Sequence, residues 1–148
     1  MLEENSFVYH TRVKVEVDED EEPVSRQLIQ VFFAHRKQLE AAQRFVTDWL
    51  IIIDGTFNTN ELDLPLLIIV GVLSTGQMFP VAFSYCPAES IKSISYVWDC
   101  LKKECFTGDI PPPRIILGDW AAGLISSVPK ASLTVDIRAV IGMPFRQC

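Results

Sequence analysis

An unbroken apolar run, Trp49-Leu50-Ile51-Ile52-Ile53, stops at Asp54 and Gly55. Consecutive β-branched residues are stiff at χ1 and suit a pleated strand better than a helix. Because the run shows no polar alternation, it reads as a strand covered on both faces, near the centre of a sheet. The same grammar returns downstream, where Arg114-Ile115-Ile116-Leu117-Gly118 leads into Asp119. Two short apolar strands, each ending in an acid, constrain the chain more than any other feature.

Between them, apolar runs over Leu64 to Leu73 and Met78 to Cys86 flank Ser74-Thr75-Gly76-Gln77 and predict an antiparallel hairpin. Ser90 then opens a segment in which Ile94, Val97, Trp98, Leu101 and Cys105 form a helical stripe, closed by Gly108 and Pro111-Pro112-Pro113. A helical crossover into the strand before Asp119 predicts parallel pairing with the strand before Asp54. The carboxyl ends of both strands then share one rim, where open α/β sheets gather ligands. Trp120 to Val128 reads as a short helix and Val135 to Ile141 as a last strand.

The amino-terminal part is less regular. Residues Phe7 to Val17 alternate weakly, as a short strand or arm, before the acidic run Glu16-Val17-Asp18-Glu19-Asp20-Glu21-Glu22 and Pro23, which reads as a linker. From Val24 to Phe45 the apolar residues Leu28, Val31, Phe32, Leu39, Ala42 and Phe45 recur at helical spacing. Arg26, Arg36, Lys37 and Arg44 would line the cationic face of that helix, either solvated or against a nucleic-acid backbone. The chain thus divides into an acidic arm and linker over 1–23, an N-terminal helix over 24–48, and a core over 49–148.

A chain of 148 residues with 49% hydrophobic content fits one globular domain. No apolar run approaches the ~20 residues that cross a bilayer, and the opening Met1-Leu2-Glu3-Glu4-Asn5 is not a secretory leader. A soluble protein of nucleus or cytoplasm, with no membrane partner, is expected. The net charge of −6 is the wrong sign for gripping DNA by charge alone. Six of its 19 acids lie in the one acidic run, however, and without them acids and the 13 bases balance. Cys86, Cys100, Cys105 and Cys148 include no CxxC pair, so a zinc site within the chain is not expected, and the first three read as reduced, mostly buried thiols.

Aspartates at adjacent strand ends repel each other unless a cation lies between them. Mg²⁺ favours carboxylate, phosphate and water oxygens, and two such ions about 3.5–4 Å apart activate the attacking oxygen and stabilise the leaving oxygen at a phosphodiester. The spacing thus points to hydrolysis or strand transfer of nucleic acid. An Asp after a strand also serves as a plain turn or cap residue, and that reading stays open for each aspartate alone.

The segment Asp54-Gly55-Thr56-Phe57-Asn58-Thr59-Asn60 with Pro65-Leu66-Leu67 resembles the opening of the Mutator-like element (MULE) transposase domain. So do Gly71, Gly76-Gln77-Met78-Phe79-Pro80-Val81-Ala82-Phe83, Glu89, Tyr96-Val97-Trp98 and Gly118-Asp119-Trp120-Ala121-Ala122-Gly123-Leu124 in their order. The likeness covers roughly residues 45 to 130 and is closest in character to the fungal branch. It implies an α/β, RNase H-like mixed sheet, an antiparallel hairpin plus parallel strands with flanking helices. It also implies DDE-type cut-and-paste transposition with Mg²⁺ or Mn²⁺ as cofactor and transposon-end DNA as partner, in the nucleus. A homo-oligomer is compatible with it.

Carried over, the first two metal-binding catalytic acids fall on Asp54 and Asp119. The family's third acid, a glutamate beyond a helical insertion, has no counterpart here, so the core reads as C-terminally incomplete. Arg146-Gln147-Cys148 looks like the first half of a Gln-x-Cys-x-Trp-His-like element, and Gly118 replaces the usual Thr before the second acid. Glu61, Asp63 and Asp136 are the acids nearest to a substitute, with Glu61 and Asp63 better read as loop decoration. Lacking the third acid, the chain is expected to cleave weakly or not at all. A degenerate or domesticated fragment that binds DNA without cutting it is the alternative; a cellular RNase H-like nuclease ranks lower. Gly55 is expected to let the backbone turn past the acid. Trp98 reads as core rather than as a base-stacking platform, while Trp120 is open.

Overall fold

The computed structural model describes residues 6–46, 49–56 and 60–118. Its elements are β1 (Phe7–Val17), β2 (Pro23–His35), α1 (Arg36–Phe45), β3 (Leu50–Thr56), β4 (Leu66–Val72), β5 (Met78–Tyr85), α2 (Ile91–Glu104) and β6 (Ile115–Gly118). The strands form one mixed sheet in the order β1-β2-β5-β4-β3-β6. All pairs are antiparallel except β3 with β6, which run parallel from Leu50↔Ile115 to Ile53↔Gly118. The expected hairpin, the helix after Ser90 and the parallel crossover are all present. The helix and strand expected over Trp120 to Val128 and Val135 to Ile141 lie outside the described residues.

The amino-terminal third differs from expectation. Residues 24–35 are not helical but belong to β2, and the helix is confined to α1. Leu28, Val31 and Phe32 fit a helical stripe, yet Val24, Ile29, Val31, Phe32 and Phe33 are β-branched or aromatic and gain more on a pleated surface. The partner that settles the matter is β1, which pairs along the whole of β2. The acidic run is therefore the tip of a hairpin rather than a linker. Asp18 Oδ1 accepts from the amides of Asp20 (3.0 Å) and Glu22 (2.9 Å), and Glu21 takes a positive φ of 64° to close the turn.

At His35 the chain switches from strand to helix through a reciprocal cap. Its Nδ1 accepts from the Lys37 amide (3.2 Å), while its own amide donates to Gln38 Oε1 (3.1 Å). Both groups would otherwise be orphan donors at a helix start. The four cations expected on one helical face are accordingly split, with Arg26 on β2 and Arg36, Lys37 and Arg44 on α1.

Phe32, Ala34, Ile51, Ile53, Leu67, Ile69 and Ile116 point to one face of the sheet and join Leu39, Ala42, Ile94, Val97, Trp98 and Leu101 from the helices in one core. Leu50 and Ile52, on the opposite face of β3, are only half-buried. The expectation of cover on both faces is thus met on one face by the described residues.

Gly71 shows how tightly that core closes. A Cβ there would sit 2.6 Å from Val46 Cγ2 and 2.8 Å from the Phe79 ring. Gly71→Ala should therefore cost about 1–3 kcal/mol through overpacking, read as a lower urea midpoint with an unchanged slope. An unaltered midpoint would show that Val46 and Phe79 yield freely.

Candidate metal centre

Asp54 owes its position to strand parity. Ile51 and Ile53 are each 1% exposed in the core, so alternation turns Asp54 to the opposite face, where it is exposed. Its carboxylate has no ion pair or hydrogen bond among the described residues. Gly55 and Thr56 remain paired with Leu67 and Leu66, so the strand runs on past the acid. The sharp turn expected at Gly55 is absent, because these ladder partners hold it extended.

Cross-strand registration extends Asp54 into a row of Ile68, Phe83, Phe33 and Tyr9 on that same open face. Phe33 and Phe83 stack with centroids 5.4 Å apart, and Phe33 lies 6.0 Å from the Tyr85 ring. An aromatic band therefore starts one strand away from Ile68 and leads from the acid toward the hairpin. Alternation within β2 and β5 encodes it, but only the register reveals that it points at Asp54.

The neighbouring strand β6 ends at Gly118, the partner of Ile53. Asp119 is the next residue in the chain and lies outside the described residues, as do Trp120, Asp136 and Arg146-Gln147-Cys148. Among the described residues no group of three His, Cys, Asp or Glu side chains could hold a metal ion. The structure thus shows one member of the expected pair and the strand that leads to the other.

Asn60, which had no assigned role, organises the loop after β3. Its Oδ1 accepts from the amides of Leu62 (3.1 Å) and Leu64 (3.2 Å), and its Nδ2 donates to the Leu64 carbonyl at 2.7 Å. Asn favours such local turns, which is the signal that could have found it. Glu61 and Asp63 are exposed on this loop, as their decorative reading required. Trp98 is 2% exposed and packs 6.2 Å from Phe106, in the core as expected and unavailable for stacking on a base.

Cys86, Cys100 and Cys105 are free and buried. Burial is the main cause that pushes the thiols of Cys86 and Cys100 up to about 11 and that of Cys105 up to about 12, from 9.0. The folded state therefore favours the neutral thiol. Its contribution is complete below pH 9 and is lost as pH rises from about 9 toward 11–12. At pH 8 these thiols should alkylate at least roughly a hundredfold more slowly in the folded chain than in urea, following the thiolate fraction. Equal rates under the two conditions would contradict their burial.

A family model, the MULE transposase domain, matches residues 50–138. The chain belongs to that family. The MULE match begins at the first residue of β3 and takes in both Asp54 and Asp119. No curated protein and no solved structure matches the chain. The hairpin β1–β2 and helix α1 precede the matched span, so three of the eight described elements lie outside it, with β2 paired to β5. No helix among the described residues is long and apolar enough to cross a membrane.

Proposed function

We propose that the chain is the catalytic core of a DDE-type DNA transposase with an RNase H-like sheet, in which Asp54 and Asp119 share a divalent metal, Mg²⁺ or Mn²⁺. What carries the reading is the parallel pairing of β3 with β6, whose last described pair, Ile53↔Gly118, immediately precedes both aspartates in the chain. The order β5-β4-β3-β6, with α2 as the crossover into β6, agrees with an RNase H-like arrangement.

The exposed Asp54 carboxylate, with no partner among the described residues, suits a hard oxygen-seeking cation. Such an ion, when bound, would stabilise the attacking and leaving oxygens of a phosphodiester. Asp54 would orient it from a rigid strand, since the backbone on both sides is paired with β4. The open face around Asp54 would leave room for a DNA strand to approach, and nuclear action follows from a DNA substrate.

Mn²⁺ titration of the 148-residue chain tests this reading directly, without requiring the family's third acid. Binding that is lost on replacing Asp54 supports it; equal Mn²⁺ binding by the variant refutes it. Strand cleavage of transposon-end DNA by this chain is expected to be weak or absent, so metal binding is the deciding readout.

A further inference from the structure

Away from Asp54, a cavity of about 380 Å³ lies where β1 meets the start of α2. Arg12, Lys14 and Lys92 line it together with Ser90 and Ser93, and none of the described residues lining it is acidic. In a chain of net charge −6, such a local excess of cations is contrary to the overall balance.

The three cations are not equivalent. Lys14 is already paired with Glu16 at 2.9 Å. Lys92 is exposed and has no ion pair among the described residues. Arg12 lies with its guanidinium carbon 5.5 Å from the Tyr96 ring centroid, and its Nε is buried with no hydrogen-bond acceptor among the described residues. A buried charged donor without an acceptor is costly unless a ligand supplies one.

The start of α2 adds to the same field. Ser90 caps the 14-residue helix by accepting from the Ser93 amide at 3.2 Å. The amides of Ile91 and Lys92 are left without intrahelical acceptors, as at any helix start, and the helix dipole places partial positive charge there. Helix-start amides without intrahelical acceptors, a buried guanidinium nitrogen with no acceptor and a lysine with no ion pair among the described residues, around one cavity, are the chemistry of a phosphate site.

We infer that this cavity binds a phosphate of the DNA backbone and anchors the duplex at a distance from the metal centre. Arg12 pairs with Gln30, whose side chain bonds to Ser93 of α2, so the cavity lies on the helix-bearing face beside β1, whereas Asp54 is on the opposite, open face. Because β1 is an edge strand, a duplex held there would reach the open face only by passing around that edge. The assignment to DNA rests on the transposase reading; the phosphate site itself does not.

The test is fluorescence anisotropy of a labelled duplex with the 148-residue chain over a range of salt. Lys92→Gln should weaken binding roughly fivefold near 0.1 M salt and lower the slope of log K against log salt by about 0.9, the signature of one lost phosphate contact. Arg12→Gln should weaken it at least as much. Because Arg12 also packs on Tyr96, the exposed Lys92 is the variant that decides. Wild-type affinity and slope in Lys92→Gln would overturn the inference, as would tighter binding of a phosphoserine peptide than of DNA at the same salt. Amide shifts at Ser90 to Ser93 on adding inorganic phosphate, with no duplex binding, would overturn DNA as the source. Metal-free duplex binding and Mn²⁺ titration of the 148-residue chain are separate measurements, so failure of the anchor and failure of the metal centre are read separately.

Discussion

Asp54→Asn should lower Mn²⁺ affinity by ~100-fold or more while leaving the fold intact. Losing a group that merely orients a ligand typically costs 10–100-fold in affinity, so losing a direct charged ligand should reach at least the upper end. Stability should move by no more than about 0.5 kcal/mol, because the side chain is exposed and the backbone pairing with Ile68 survives. Asp119→Asn should match it, and the double variant should be scarcely worse than either, since two ligands of one ion do not act additively. Calorimetric titration and a urea melt of each variant supply both numbers. Full Mn²⁺ binding by Asp54→Asn would remove the proposed centre; simple additivity would place the two acids on separate ions.

The second large effect contrasts neighbours in β2. Phe32 is 0% exposed in the core, whereas Phe33 is half-buried on the open face against Phe83. Phe32→Ala should cost about 3–5 kcal/mol, a large part of a typical stability of about 5–15 kcal/mol. Phe33→Ala should cost less, about 1–2 kcal/mol, mainly its aromatic contacts. Urea unfolding of the two variants would measure the difference. In a helix these residues would sit only about 100° apart and both could be buried, so equal losses would argue against the strand.

Much of the sheet from β3 onward was legible from local pattern. The runs Leu50 to Ile53 and Ile115 to Leu117 are short, β-branched and punctuated by Gly or Pro, which leaves few alternatives to a strand. Ser90 and the stripe through Leu101 specify both the start and the buried side of α2. Residues 24–35 misled because their apolar spacing suits either period, and their partner lies across a turn rich in charge. Gly55 misled for a related reason: glycine permits a turn, but pairing with Leu67 holds it in the strand.

Residue type and order by themselves determined that the segments from β3 onward become strands, that two of them lead into aspartates, and to which family the pattern belongs. Tertiary structure decided the face. Ile51, Ile52 and Ile53 are equally apolar, so nothing local says which parity turns inward. Membership of Ile51 and Ile53 in the core that α1 and α2 also join settles it and puts Asp54 on the open side. The same long-range packing joins Arg12 of β1 to Lys92 of α2, residues 80 positions apart, around one cavity. Burial of apolar area depends on partners distant in the chain, and those partners exist only once the sheet has formed.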